Sequence, residues 1–171
     1  MKQSKVTFNL DGLENLKKAV GNSMRARVGI LGNHAARTDE KTGINNAELG
    51  LIQMYGSITN NIPPRDFLLM PIEVKKREIL KSLSSGQARS AFAKGDYKAM
   101  FVILGQAGEA AVMEAFATGG FGKWAPNKES TIKQKGSSAP LIDQGELRKS
   151  ISSDVVNKSG KPMSVTPASV A

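Results

Sequence analysis

Apolar and polar positions change period several times along the chain, and each change predicts an element. Val6, Phe8 and Leu10 alternate with Thr7 and Asn9, the twofold period of a half-buried strand. Asp11 and Glu14 have the spacing of a capping box, and Leu13, Leu16 and Val20 then share a helical face that ends at Gly21-Asn22. Alternation returns over Arg25–Leu31, with Ala26, Val28 and Ile30 on one side and Arg25 and Arg27 on the other. Residues 32–43, GNHAARTDEKTG, carry no apolar period and read as a long exposed loop or loose hairpin. A helix follows over about Asn46–Tyr55, with Ala47, Leu51 and Met54 on one stripe, and it breaks at Gly56.

The next stretch, Ile62-Pro63-Pro64-Arg65, is stiff, because each proline fixes its own backbone and restricts the residue before it. It reads as a corner that holds two helices at a set angle and offers a basic edge to a partner. Beyond it, Leu68, Leu69, Ile72, Ile79, Leu80 and Leu83 form the apolar side of a helix whose other side carries Lys75, Lys76, Arg77 and Lys81. Pro71 suits the first turn of that helix. Residues 84–96, SSGQARSAFAKGD, read as a connection with a frayed helical middle. Asp96 then caps the longest helix, Tyr97 to about Thr118, which is apolar around most of its circumference and so is the expected core helix. Gly105 and Gly108 each cost it about 1 kcal/mol of helix propensity, which implies that another element comes close there.

GGFGKWAP stops this helix, residues 127–134 offer a short helical turn, and residues 141–148 form a turn leading into another short helix. A last strand covers Ile151–Val156, and SGKPMSVTPASVA reads as a mobile tail or extended arm. The expected fold is α+β: a small, mostly antiparallel sheet packed against several helices, including one long central helix, with a long loop and an extended C-terminal arm. Residues 1–157 form one domain and 158–171 a flexible tail.

Composition narrows the chemistry. Of 171 residues, 24 are Lys or Arg and 15 are Asp or Glu, so the net charge of +9 favours nucleic acid, acidic proteins or membrane surfaces. No run of five like charges occurs, so the charge is spread over faces. With no cysteine, disulfides and thiolate metal sites are excluded. The first residues lack the apolar segment of a signal peptide, and no apolar run reaches about 18 residues, so synthesis in the cytoplasm without membrane insertion is expected. GGFGKW fails the phosphate-loop pattern, since Ala117 and Trp124 stand where glycine and a hydroxyl residue are needed. His34 is the only histidine, Asp39 and Glu40 are adjacent, and Asp143 and Glu146 suit a helix start, so no catalytic residue, metal site or cofactor is assigned. Candidate DNA-facing cations are Arg25, Arg27, Lys75, Lys76 and Arg77, contacting phosphates without reading bases.

NNAELGLIQMYGS followed by NIPPRDFLLMPI, KWAPN and TIKQKGSSAPLIDQGELRKSI, in that order over roughly residues 28–156, resembles the tail-completion or neck proteins of long-tailed bacteriophages. Related proteins often carry Glu before the aromatic-Gly pair, where this chain has Gln53-Met54-Tyr55-Gly56. The resemblance implies a non-enzymatic minor virion protein, made in the host cytoplasm, that forms a ring at the head–tail junction. The ring would complete the tail and join it to the connector. Its implied partners are copies of itself, with a hexamer as one closure, then connector or adaptor and tail-tube proteins, and transiently DNA. Candidate interface residues are Pro63, Pro64, Arg65, Phe67, His34, Arg37 and Trp124, and Leu141, Asp143, Gly145, Leu147 and Arg148 would form a turn fixing the last strand. The alternative is a phage-encoded, non-specific DNA-binding accessory protein.

Overall fold

A computed structural model describes residues 17, 21, 24–38, 43–141 and 145–163. Among the described residues the fold is α+β: a two-stranded antiparallel ribbon and several helices, one of them long and central. The expected strand at 6–10, the helix at 11–21, Asp39, Glu40, Asp143 and the tail beyond 163 lie largely or wholly outside the described residues.

Strand β1 (Arg25–Ile30) pairs with β2 (Ile151–Val156) in the register Ala26↔Val155 and Val28↔Ser153. The predicted alternation holds. Arg25 and Arg27 are exposed, whereas Ala26 and Val28 face the long helix α6 (Tyr97–Thr118). This helix has the predicted ends: Asp96 Oδ1 accepts from Ala99 N–H at 2.9 Å, and Gly119 closes it in a left-handed conformation. A Cβ on Gly105 would sit 3.2 Å from Ser153 Cβ, and one on Gly108 would sit 2.9 Å from Val28 and 3.2 Å from Ile72. The two glycines are therefore where the ribbon beds into the helix. By length and composition alone α6 could cross a membrane, yet Gly105, Gly108, Ala111, Val112, Ala115 and Phe116 are buried within the fold.

Between the strands come α1 (Asn33–Ala36), α2 (Asn46–Tyr55), α3 (Leu69–Val74), α4 (Lys76–Lys81), a 3-10 turn (Ser82–Ser84) and α5 (Gly86–Ala93). After α6 follow α7 (Glu129–Lys135) and α8 (Glu146–Lys149). Helix α2 starts at a complete capping box, with Asn45 Oδ1 accepting from Glu48 N–H at 2.8 Å and Asn45 N–H donating to Glu48 Oε2 at 3.0 Å. The loop of 32–43 is in part a hairpin, since it contains α1 and Thr38 bridges Asn45.

Four expectations change. The helix after the corner is interrupted at Lys75, and Leu69 and Leu80 lie outside the core although Ile79 is buried. Residues 86–93 form a full helix with Ser85 as its cap, because Ala88 and Ala91 are small enough to lie flush against α6. The stripe of α2 is rotated, as described below. Residues 158–163 are no free tail: Asn157 N–H donates to Lys161 O and Met163 N–H to Val155 O, which folds them back along β2.

The core gathers Phe67, Val112, Ala115, Phe116, Trp124, Leu147 and Ile151. Gly108→Ala is expected to lower stability by about 1 kcal/mol, because the steric push on Val28 outweighs the gain in helix propensity. A shift of the urea midpoint reads this directly, and a raised midpoint would show that the ribbon can step back from α6.

Candidate interaction surface

The proline corner is built by hydrogen bonds from three directions. Ser57 and Ile62 exchange both backbone bonds, at 2.9 and 2.8 Å, closing a tight hairpin over residues 57–62. Gly56 adopts a positive φ of 77°, and a Cβ there would lie 2.6 Å from Ile62 O, so the corner needs glycine at its pivot. Past the prolines, Arg65 N–H donates to Gln53 O at 2.8 Å, using a carbonyl left open at the end of α2. Asp66 then takes the free N–H groups at the start of α3, with Oδ1 accepting from Leu68 and Leu69 and Oδ2 from Met70.

Arg65 is not the exposed cation that the sequence suggests. Only 6% of it is accessible, its Nε donates to Ala125 O at 2.9 Å, and Nη2 donates to Pro126 O and Asn127 Oδ1 at 3.1 and 3.3 Å. Burial lowers its pKa from the ordinary guanidinium value. Asn127 Nδ2 in turn donates to Ala139 O and Ser138 O. The corner, the WAPN segment and the SSAP segment are thereby tied into one unit.

Trp124 completes it. Its Nε1 donates to Asp66 O at 3.1 Å, and its ring stands edge-on to Phe116, which also meets Phe67 at 5.5 Å. The loop that carries Trp124 runs through four consecutive positive φ values, Gly119, Gly120, Phe121 and Gly122. A Cβ on Gly120 would fall 2.4 Å from the indole, so that glycine makes room for the ring. Phe67, at 0% exposure, and Trp124 are thus core residues, and with Arg65 they cannot meet a partner in this conformation. Pro63 is half-buried and Pro64 exposed at the rim.

His34 and Arg37 belong to a second group. His34 is exposed while its carbonyl accepts from Asn46 Nδ2, and Arg37 pairs with Glu146 at 2.6 Å. Lys149 donates to the same carboxylate, and that hydrogen bond, together with the charges of Arg37 and Lys149, holds Glu146 below the usual carboxylate range. Leu147 is buried in the same core cluster as Ile151, Gly145 takes a positive φ, and Arg148 is exposed.

The cations expected to face DNA are mostly engaged. Arg27 makes a two-pronged bond to Asp154 at 2.9 and 2.7 Å, which raises its pKa. Lys75 reaches Glu114 at 2.8 Å and Glu78 at 3.1 Å and stands over the Phe121 ring. Lys76 pairs with Glu73, Arg25 donates to Lys158 O, and Arg77 is exposed. Among the described residues, no group of three metal-ligating side chains occurs.

The surface that sequence reasoning missed lies on α2. This helix turns Asn46 and Gly50 inward and leaves Leu51 58% and Tyr55 68% exposed. Gly50 faces the core because Ile30 and Phe67 fill the space a side chain would take, at 2.6 and 3.5 Å from the position of a Cβ. One turn beyond, Ile58 stands fully exposed on the hairpin that the corner braces. Leu51 and Tyr55 are one turn apart on α2 and Ile58 follows beyond the break at Gly56, yet periodicity alone gave no sign that these apolar side chains face outward. No protein-family model, curated protein or solved structure matches this chain.

Two measurements check the geometry. Arg65→Ala is expected to cost about 3 kcal/mol, since it strands buried carbonyls, and so to lower Tm by about 6–12 °C. Arg65→Lys should restore only part, because an ammonium cannot span the same acceptors. Glu146 has a depressed folded pKa, so its contribution is present above the unfolded carboxylate value and disappears as pH falls through the folded one. The Tm gap between wild type and Glu146→Gln should therefore be open at pH 7 and close as acid protonates the folded carboxylate, whereas a pH-independent gap would assign its role to packing.

Proposed function

We propose that this chain is a structural subunit of the neck of a long-tailed phage, assembling into a ring that completes the tail and joins it to the connector. The observation that carries the reading is the outward apolar stripe of α2, Leu51 and Tyr55, continued by Ile58 on a braced hairpin. Large apolar side chains grouped on a rigid support mark a surface that a partner covers. Because the corner is held by Arg65, Asp66 and Trp124, the stripe loses little freedom on docking. Ring subunits meet head to tail, so the stripe of one copy would press on a different surface of the next.

The segments that bear the resemblance to neck proteins are also the ones bonded to one another here. NIPPRDF, KWAPN and SSAP meet through Arg65, Trp124 and Asn127. This supports a role for those motifs in shaping the subunit, with recognition left to the neighbouring apolar side chains.

Complementation of a phage lacking the chain tests this. Tyr55→Ala combined with Ile58→Asp should leave Tm within about 2 °C of wild type, as surface changes do, while joined particles fall at least about tenfold. Wild-type chain should be found at the head–tail junction of mature particles. Full complementation by the double variant, or absence of the chain from purified virions, would sink the proposal.

A further inference from the structure

We propose that the outward face of the α4–α5 layer, carrying Arg77, Lys81, Arg89, Lys94 and Lys98, binds the phosphate backbone of duplex DNA without reading its sequence. This does not depend on ring formation. It follows from where the structure leaves positive charge without a countercharge.

Residues 77–98 hold these five cations against two acids, Glu78 and Asp96. Both acids are committed elsewhere, Glu78 to Lys75 and Asp96 to the first turn of α6. Every ion pair among the described residues involves other cations: Arg27, Arg37, Lys75, Lys76 and Lys149. Arg27, Lys75 and Lys76 are thus neutralised by carboxylates, whereas the five cations of this layer form no ion pair among the described residues.

Arg77, Lys81, Arg89 and Lys94 are exposed, and Lys98 is half-buried. Arg77 and Lys81 are four residues apart, about 6 Å along the helix, on the side of α4 away from buried Ile79. Arg89 is turned away from Ala88 and Ala91, through which α5 rests on α6. Lys94 follows the end of α5 and Lys98 lies in the first turn of α6. A group of cations without carboxylate partners suits a polyanion of high, regular charge density, and duplex DNA carries one charge per about 1.7 Å. Leu80 and Phe92 are the exposed large apolar side chains in this segment, and Phe92 is packed edge-on with Tyr97 at 5.9 Å. That is too little apolar surface for burial in a lipid interface.

The test is fluorescence anisotropy of a labelled 20-base-pair duplex with the full chain, over a series of salt concentrations. Wild type should bind with an affinity that falls steeply with salt, by about 0.9 log units per log unit of salt for each phosphate engaged. Arg77→Glu, Lys81→Glu and Arg89→Glu together should lower affinity at least about tenfold and reduce the salt slope by about 3, one per cation. The Gln versions at the same three positions should fall between, and Arg25→Glu on the ribbon should bind nearly as wild type. Absence of wild-type binding, or equal binding by the triple Glu variant, would overturn the assignment. So would a loss in Arg25→Glu as large as the triple loss, or binding to anionic lipid vesicles without binding to duplex.

Discussion

A guanidinium taken out of water with no carboxylate beside it is costly, and in this fold Arg65 is held that way by oxygen acceptors alone. Two backbone carbonyls and one amide oxygen take its fork, and these lie about 60 residues further along the chain. Removing either side leaves buried polar atoms without partners, so corner and loop stand or fall together. The same contact sets Asp66, whose side chain caps α3 while its carbonyl receives the indole of Trp124. From there the aromatic cluster and the seat of α6 follow.

The second constraint is a core closed by small residues. Gly50, Gly105 and Gly108 let side chains of β1, α3 and the corner approach α2 and α6 within contact distance. Ala88 and Ala91 do the same for α5. Aromatic side chains make up only 5% of the sequence, so close approach substitutes for bulk. On α2 the consequence is a helix whose smallest residue faces the core while Leu51 and Tyr55 face solvent.

How far the sequence discloses this depends on the range of each interaction. The ends of α2 and α6 were legible because Asn45, Glu48 and Asp96 act within one turn of themselves. The strands were legible because β1 has one covered face and one charged face. Helix α5 was not, since its adhesion comes from two alanines that give little apolar signal. Arg65, Phe67 and Trp124 looked like surface candidates because the groups that enclose them lie far away in sequence, and a charge beside prolines gives no hint of burial. Leu51 fits an inward stripe equally well until Gly50 is seen to occupy the inner side.

Residues 157–163 bear on how the ribbon avoids recruiting a foreign chain. A two-stranded ribbon leaves unpaired backbone groups along both margins, an open template for another extended segment. At its end, β2 meets its own continuation instead: Val155 O is taken by Met163, and Pro162, opposite Val156, has no N–H to offer outward. That margin is blunted where it would otherwise be most accessible, which disfavours strand addition there.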